Sequence, residues 1–148
     1  MERRDVLKAV ALGLAGVIST KAMADEMDHE HMHEHSVIDQ PNLAVINTSA
    51  DCIKAGEICL NHCLFLLGDG AKDMAGCAKS VNEMLAVCTG LMKLAIQNSK
   101  YLDAMLKIAV DVCTNCEKEC RKHAAHHAEC KACADACVTC IKECNKIA

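Results

Sequence analysis

From Leu43 onward, apolar residues return at steps of three and four, the spacing of one helix face, with few β-branched runs. The pattern predicts four helices. The first runs from about Leu43 to Leu67 and stops at Gly68-Asp69-Gly70. The second spans about Lys72 to Gln97. Asn98-Ser99 can then cap a third, from about Lys100 to Lys122, and a turn near His123 to His126 leads into a fourth that ends near Ile147. Short connections make successive helices antiparallel. The expected fold is all-α, an up-down antiparallel four-helix bundle.

The inward stripes of these helices are made of cysteine. At about 100° per residue, Cys130, Cys133, Cys137, Cys140 and Cys144 fall in the a/d rhythm of a bundle seam on the fourth helix. Cys113, Cys116 and Cys120 repeat it on the third. Cys52, Cys59 and Cys63 share a face of the first helix, and Cys77 and Cys88 a face of the second. Glu129, Lys131, Asp135, Lys142 and Glu143 take the outer positions of the fourth helix, so charge meets solvent and thiol meets the core. The 148 residues hold 13 Cys but one Phe, one Tyr and no Trp, so sulfur stands where aromatic and leucine side chains usually pack.

Three readings of these thiols are open. Cysteine can serve as a small apolar residue, but this many on inward stripes would leave the core short of volume. Disulfides between helices are a second reading. An odd number of cysteines cannot all pair, and residues three or four apart on one helix diverge from disulfide geometry. Metal binding is the third. Zinc takes four tetrahedral ligands, and several thiolate-rich zinc sites would strand negative charge in a core almost without Lys or Arg. Iron–sulfur clusters usually draw cysteines from loops with a following proline, whereas these lie mid-helix and the only proline is Pro41. Cu(I) is soft, favours thiolate and accepts low coordination numbers. Thiolates at i and i+4 can flank an ion at about 2.3 Å. One Cu(I) per thiolate leaves the core neutral, and bridging sulfurs allow on the order of ten or more ions.

Up-down topology gathers Cys63, Cys77, Cys120 and Cys130 at one end, with His62 and Met74 beside them and His123, His126 and His127 in the adjoining turn. The other end carries Leu43, Ile46, Leu91, Leu94, Leu102, Leu106, Ile141 and Ile147. One end therefore offers soft and borderline ligands and reads as a mouth. The other reads as an aliphatic plug. Met84, one turn deeper on the second helix, stays undecided between ligand and filler.

Ahead of the bundle, Arg3-Arg4, an apolar run from Ala9 to Ile18 and Ala22-Met23-Ala24 read as a removable export signal over residues 1–24. The paired arginines resemble the twin-arginine class, with Val6 where that motif usually has Phe; a general secretory signal is the alternative. The run is too short to span a bilayer, so no stable membrane span is expected. Residues 25–41 are expected to form a disordered tail, with His29, His31, His33 and His35 at every second position, able to collect metal and pass it on. The bundle domain takes 42–148. The formal charge of −4 becomes −6 once the signal, net +2, is removed, which speaks against a nucleic-acid partner. The expected location is exported: periplasmic or associated with internal membranes. Thiols there are normally oxidised unless something occupies them.

Gly56-Glu57-Ile58-Cys59-Leu60-Asn61-His62-Cys63, Met74-Ala75-Gly76-Cys77, Asp111-Val112-Cys113-Thr114-Asn115-Cys116-Glu117-Lys118-Glu119-Cys120 and Glu129-Cys130-Lys131-Ala132-Cys133 together resemble the bacterial copper storage proteins, in their exported branch. The similarity covers about Asn47 to Ala148 and the signal. It implies a homotetramer of four-helix bundles that each store many Cu(I) ions. It also implies entrance ligands at His62 and Met74, while other entrance methionines of relatives are replaced here by Leu66 and Asp69. In methane-oxidising bacteria, exported members are thought to supply the membrane methane monooxygenase, which makes such an enzyme the implied recipient. The function expected is Cu(I) storage, not catalysis. The alternatives are a copper chaperone or detoxification protein, a zinc protein and a thiol-redox enzyme; the last would want an exposed, low-pKa cysteine at a helix start.

Overall fold

A computed structural model describes residues 40–147. The expected export signal and all four tail histidines lie outside the described residues. Four helices follow in order: α1, Leu43–Gly68; α2, Ala75–Ile96; α3, Leu102–Arg121; and α4, Ala128–Ile147. A 3₁₀ turn, Lys72–Met74, leads into α2. The second helix therefore begins three residues later than the periodicity implies, because Lys72–Met74 winds more tightly than an α-helix.

The helix ends follow from local chemistry. Gly70, at φ +95°, adopts the left-handed conformation that ends α1, and Ala71 N–H donates to Leu66 C=O at 3.0 Å. Asn98 does the same for α2 at φ 46°, with Ser99 N–H donating to Leu94 C=O at 3.0 Å. Asn42 Nδ2 donates to Asn98 Oδ1 at 2.9 Å and so fastens the start of α1 to the α2–α3 turn. At the other end, Arg121 of α3 pairs with Asp135 of α4 at 2.8 Å.

Each helix packs against its two neighbours in a square: α1 against α2 and α4, α3 against α2 and α4. Among the described residues the diagonal pairs α1–α3 and α2–α4 make no close backbone approach. The space along the bundle axis is thus filled by side chains alone. Its closed end is aliphatic. Val45, Leu91, Ala95, Leu102 and Leu106 are buried there, and together they remove from water several residues worth roughly 1.5–3 kcal/mol each. Leu43 and Ile147, expected in this plug, are 52% and 42% exposed: Leu43 lies about 200° around α1 from the buried Val45, and Ile147 is the last residue of α4. Ile46, Leu94 and Ile141 pack against its edge. No helix of the described residues is long and apolar enough to cross a membrane.

Candidate metal centre

All thirteen cysteines, Cys52, Cys59, Cys63, Cys77, Cys88, Cys113, Cys116, Cys120, Cys130, Cys133, Cys137, Cys140 and Cys144, are fully buried and none is paired in a disulfide. Each helix delivers its share on one stripe, as the three-and-four spacing demands. The thiols meet across helices. Cys77 Sγ lies 3.5 Å from Cys120 Sγ, Cys88 Sγ 3.7 Å from Cys113 Sγ, Cys59 Sγ 3.8 Å from Cys130 Sγ, and Cys116 Sγ 3.9 Å from Cys133 Sγ.

These pairs merge into groups whose sulfurs all lie within 4.8 Å of one another. Cys59, Cys63, Cys77 and Cys130 form the outer quartet. Cys52, Cys88, Cys113 and Cys140 form the inner one. Two trios, Cys59–Cys120–Cys133 and Cys116–Cys133–Cys137, join them, with Cys59 and Cys133 shared between groups. Cys144 extends the column toward the plug, 3.9 Å from Cys140. The result is one continuous file of sulfur through all four helices. Sulfurs 3.5 to 4 Å apart can bridge neighbouring soft ions, each held at about 2.3 Å.

Protons are shared along this file. Burial pushes the Cys130 thiol up. Cys144 is pushed up by its hydrogen bond to Cys140 and by burial. For Cys63 the hydrogen bond with Cys59 acts downward, but that with Cys77 and burial outweigh it and push the thiol up to about 11. Hydrogen bonding with Cys137 pulls Cys113 down to about 5. A thiolate in the core therefore survives only where adjacent thiols donate to it, and the column cannot ionise as a whole. A metal ion must displace protons to enter. Loading at pH 7 is expected to release protons in number somewhat below the Cu(I) bound, because thiols such as Cys113 are already ionised there, read in a pH-stat. Because raised thiols such as Cys63 hold their protons throughout the neutral range, proton competition should weaken binding as the pH falls from 8 to 5. Release near zero at pH 7 would show that the thiolates stand ready-made.

At the thiol-rich end, Met74 is 1% exposed, three residues before Cys77 of the outer quartet, while His62 is half-buried beside Cys63 in sequence. His62 Nε2 lies 2.9 Å from His127 Nδ1 and 3.7 Å from Glu129 Oε2. The structure thus brings together every predicted thiol, His62 and Met74 in one end-to-end arrangement. His127 and Glu129 also stand at this end, and sequence spacing gives no sign that they meet His62. Their approach joins residues 65 and 67 positions apart, which no local pattern reveals. His123 stacks loosely behind His127, with ring centroids 6.4 Å apart. His126 is exposed.

A preformed, cysteine-lined four-helix bundle with grouped, unpaired thiols defines a protein that holds soft metal ions in its core. A family model described as copper storage protein matches residues 38–148, and the chain belongs to that family. The uncharacterized cysteine-rich protein YhjQ of Bacillus subtilis (strain 168) is 31% identical over 96 residues, 65% of this chain and 85% of that protein. Among solved structures, apo copper storage protein 3 from Bacillus subtilis superposes with a TM-score of 0.62 at 31% identity, covering 71% of this chain and 96% of that one. The Cu(I)-bound copper storage protein BsCsp3 gives 0.64 at 30% identity, covering 72% and 97%.

Proposed function

We propose that this chain stores Cu(I) as cargo, with the thirteen cysteines as donors and many ions per bundle. The observation that carries the reading is the file of solvent-excluded, unpaired thiols in overlapping groups. Membership of the copper storage family and the Cu(I)-bound state of a relative support it. The role is storage and not catalysis: with every thiol buried, no cysteine is offered to a substrate as a nucleophile. Cu(I) enters at the thiol-rich end, where His62 and Met74 hold the outermost ions. The chain is exported by its N-terminal signal, assembles as a homotetramer and supplies an exported or membrane copper enzyme. The exposed apolar side chains Ile58, Leu64 and Phe65 on α1 give such an assembly surface to bury.

Anaerobic titration of the reduced chain with Cu(I), against a competing chelator, is expected to saturate at about one ion per cysteine. Zinc should bind in much smaller number, since each ion needs about four ligands. Saturation at one to four Cu(I) would overturn the storage reading.

A further inference from the structure

Met84 is fully buried on the inward stripe of α2, four residues before Cys88 and seven after Cys77. Helices α1 and α2 run antiparallel, and their register places Cys52 with Cys88 in the inner quartet and Cys63 with Cys77 in the outer one. Four residues on from Cys52, and four back from Cys88, stand Gly56 and Met84. They touch: a Cβ built on Gly56 would meet the Met84 methyl carbon at 2.6 Å. Gly56 is buried on the stripe that carries Cys52 and Cys59, and the same Cβ would meet Leu85 Cδ2 at 2.9 Å, so the glycine makes room where α1 meets α2 for the ends of both Met84 and Leu85. By helix register Met84 stands at the level between the two quartets, where α1 and α2 contribute Gly56, Val81 and Met84 but no thiol. Across the column, α3 and α4 supply Cys116, Cys133 and Cys137 within 4.8 Å of one another.

A glycine inside a helix is less stable than alanine, and here the room it leaves admits the tip of a sulfur-bearing side chain. Charge separates a ligand from a filler. Thiolates neutralise Cu(I) one for one, and a further anionic donor would leave uncompensated charge in the core. A thioether is soft, neutral and suited to Cu(I), so it adds coordination without adding charge. The geometry points to Met84 as a Cu(I) ligand of the core, completing the coordination of an ion held by α3 and α4 thiolates and linking the outer quartet to the inner. This rests on the Cu(I) storage reading.

X-ray absorption at the selenium edge tests it, on the full chain labelled with selenomethionine and saturated with Cu(I). In Met74→Leu protein a copper–selenium contact is expected to persist, and in Met74→Leu/Met84→Leu protein its amplitude should fall by one selenium's share. Leucine keeps the packing volume, so a purely structural Met84 would leave this signal unchanged. The same amplitude in both proteins overturns the assignment. Should the double variant not fold, Met84→Leu decides alone: an amplitude lower than the parent chain's by one selenium's share supports the assignment, and an unchanged amplitude overturns it. Met84→Leu is also expected to weaken about one ion by roughly tenfold in chelator competition, with capacity lowered by at most one. A chain that takes up only a few Cu(I) overturns the storage reading and this inference together. A chain that fills without any such contact overturns Met84 alone.

Discussion

Copper-saturated protein is expected to unfold at least about 20 °C above the reduced apo protein, measured by circular dichroism under anaerobic conditions. The apo bundle is held by an aliphatic plug at one end and by thiols along the rest of its axis. Thiols fill less apolar volume than leucine, so that length of core contributes little of the usual burial energy. Ions that join four helices through shared sulfurs change this. A site occupied at a hundred times its dissociation constant stabilises the fold by about 2.7 kcal/mol. Three such sites already exceed the 5 kcal/mol or so that marks a marginal domain. At about 4–8 °C per kcal/mol for a domain near this size, the shift is large even after discounting Cu(I) bound by the unfolded chain. Equal melting temperatures would mean that the ions sit outside the bundle.

The second large effect concerns rate. His62→Ala combined with Met74→Ala should slow Cu(I) loading or removal by roughly tenfold or more, while total capacity falls only slightly. Both residues neighbour outer-quartet cysteines along the chain, His62 beside Cys63 and Met74 before Cys77, and thiolate holds Cu(I) more strongly than imidazole or thioether. The deep sites therefore survive while the hand-over step does not. Cys133→Ala should behave in the opposite way. Cys133 belongs to two of the thiol groups, so its loss should lower capacity by about two ions and leave the loading rate near that of the parent chain. A double variant that loads and unloads at the parent rate would place the entrance elsewhere.

The four helices and the inward direction of every cysteine were legible because both depend on a period of 3.6, which sequence displays directly. The Gly68-Asp69-Gly70 stop was legible from local turn chemistry, whereas Asn98, which reads as a cap for α3, instead ends α2. What escaped was set by partners far along the chain. Leu43 and Ile147 look like plug residues until α1 is seen to turn Leu43 outward and α4 to end at Ile147. Val45, two residues on from Leu43, is buried in its place and carries no mark in sequence beyond being apolar. The His62–His127 contact and the Gly56–Met84 contact depend on the register between helices, which helical periodicity leaves free. Ser49, buried with an unpartnered hydroxyl, has no counterpart in the pattern at all.

The closed aliphatic end has a temporal consequence. Filled and emptied, as proposed, only from the His62 end, the file of sites would behave as a stack: ions that arrive first would travel to the bottom, and those that arrive last would stand nearest the exit. Withdrawal then begins with the newest arrivals, and the oldest copper near Cys144 leaves only after the column above it has emptied. Residence time in such a bundle is a function of depth, so identical ions acquire different ages and different availabilities by position alone.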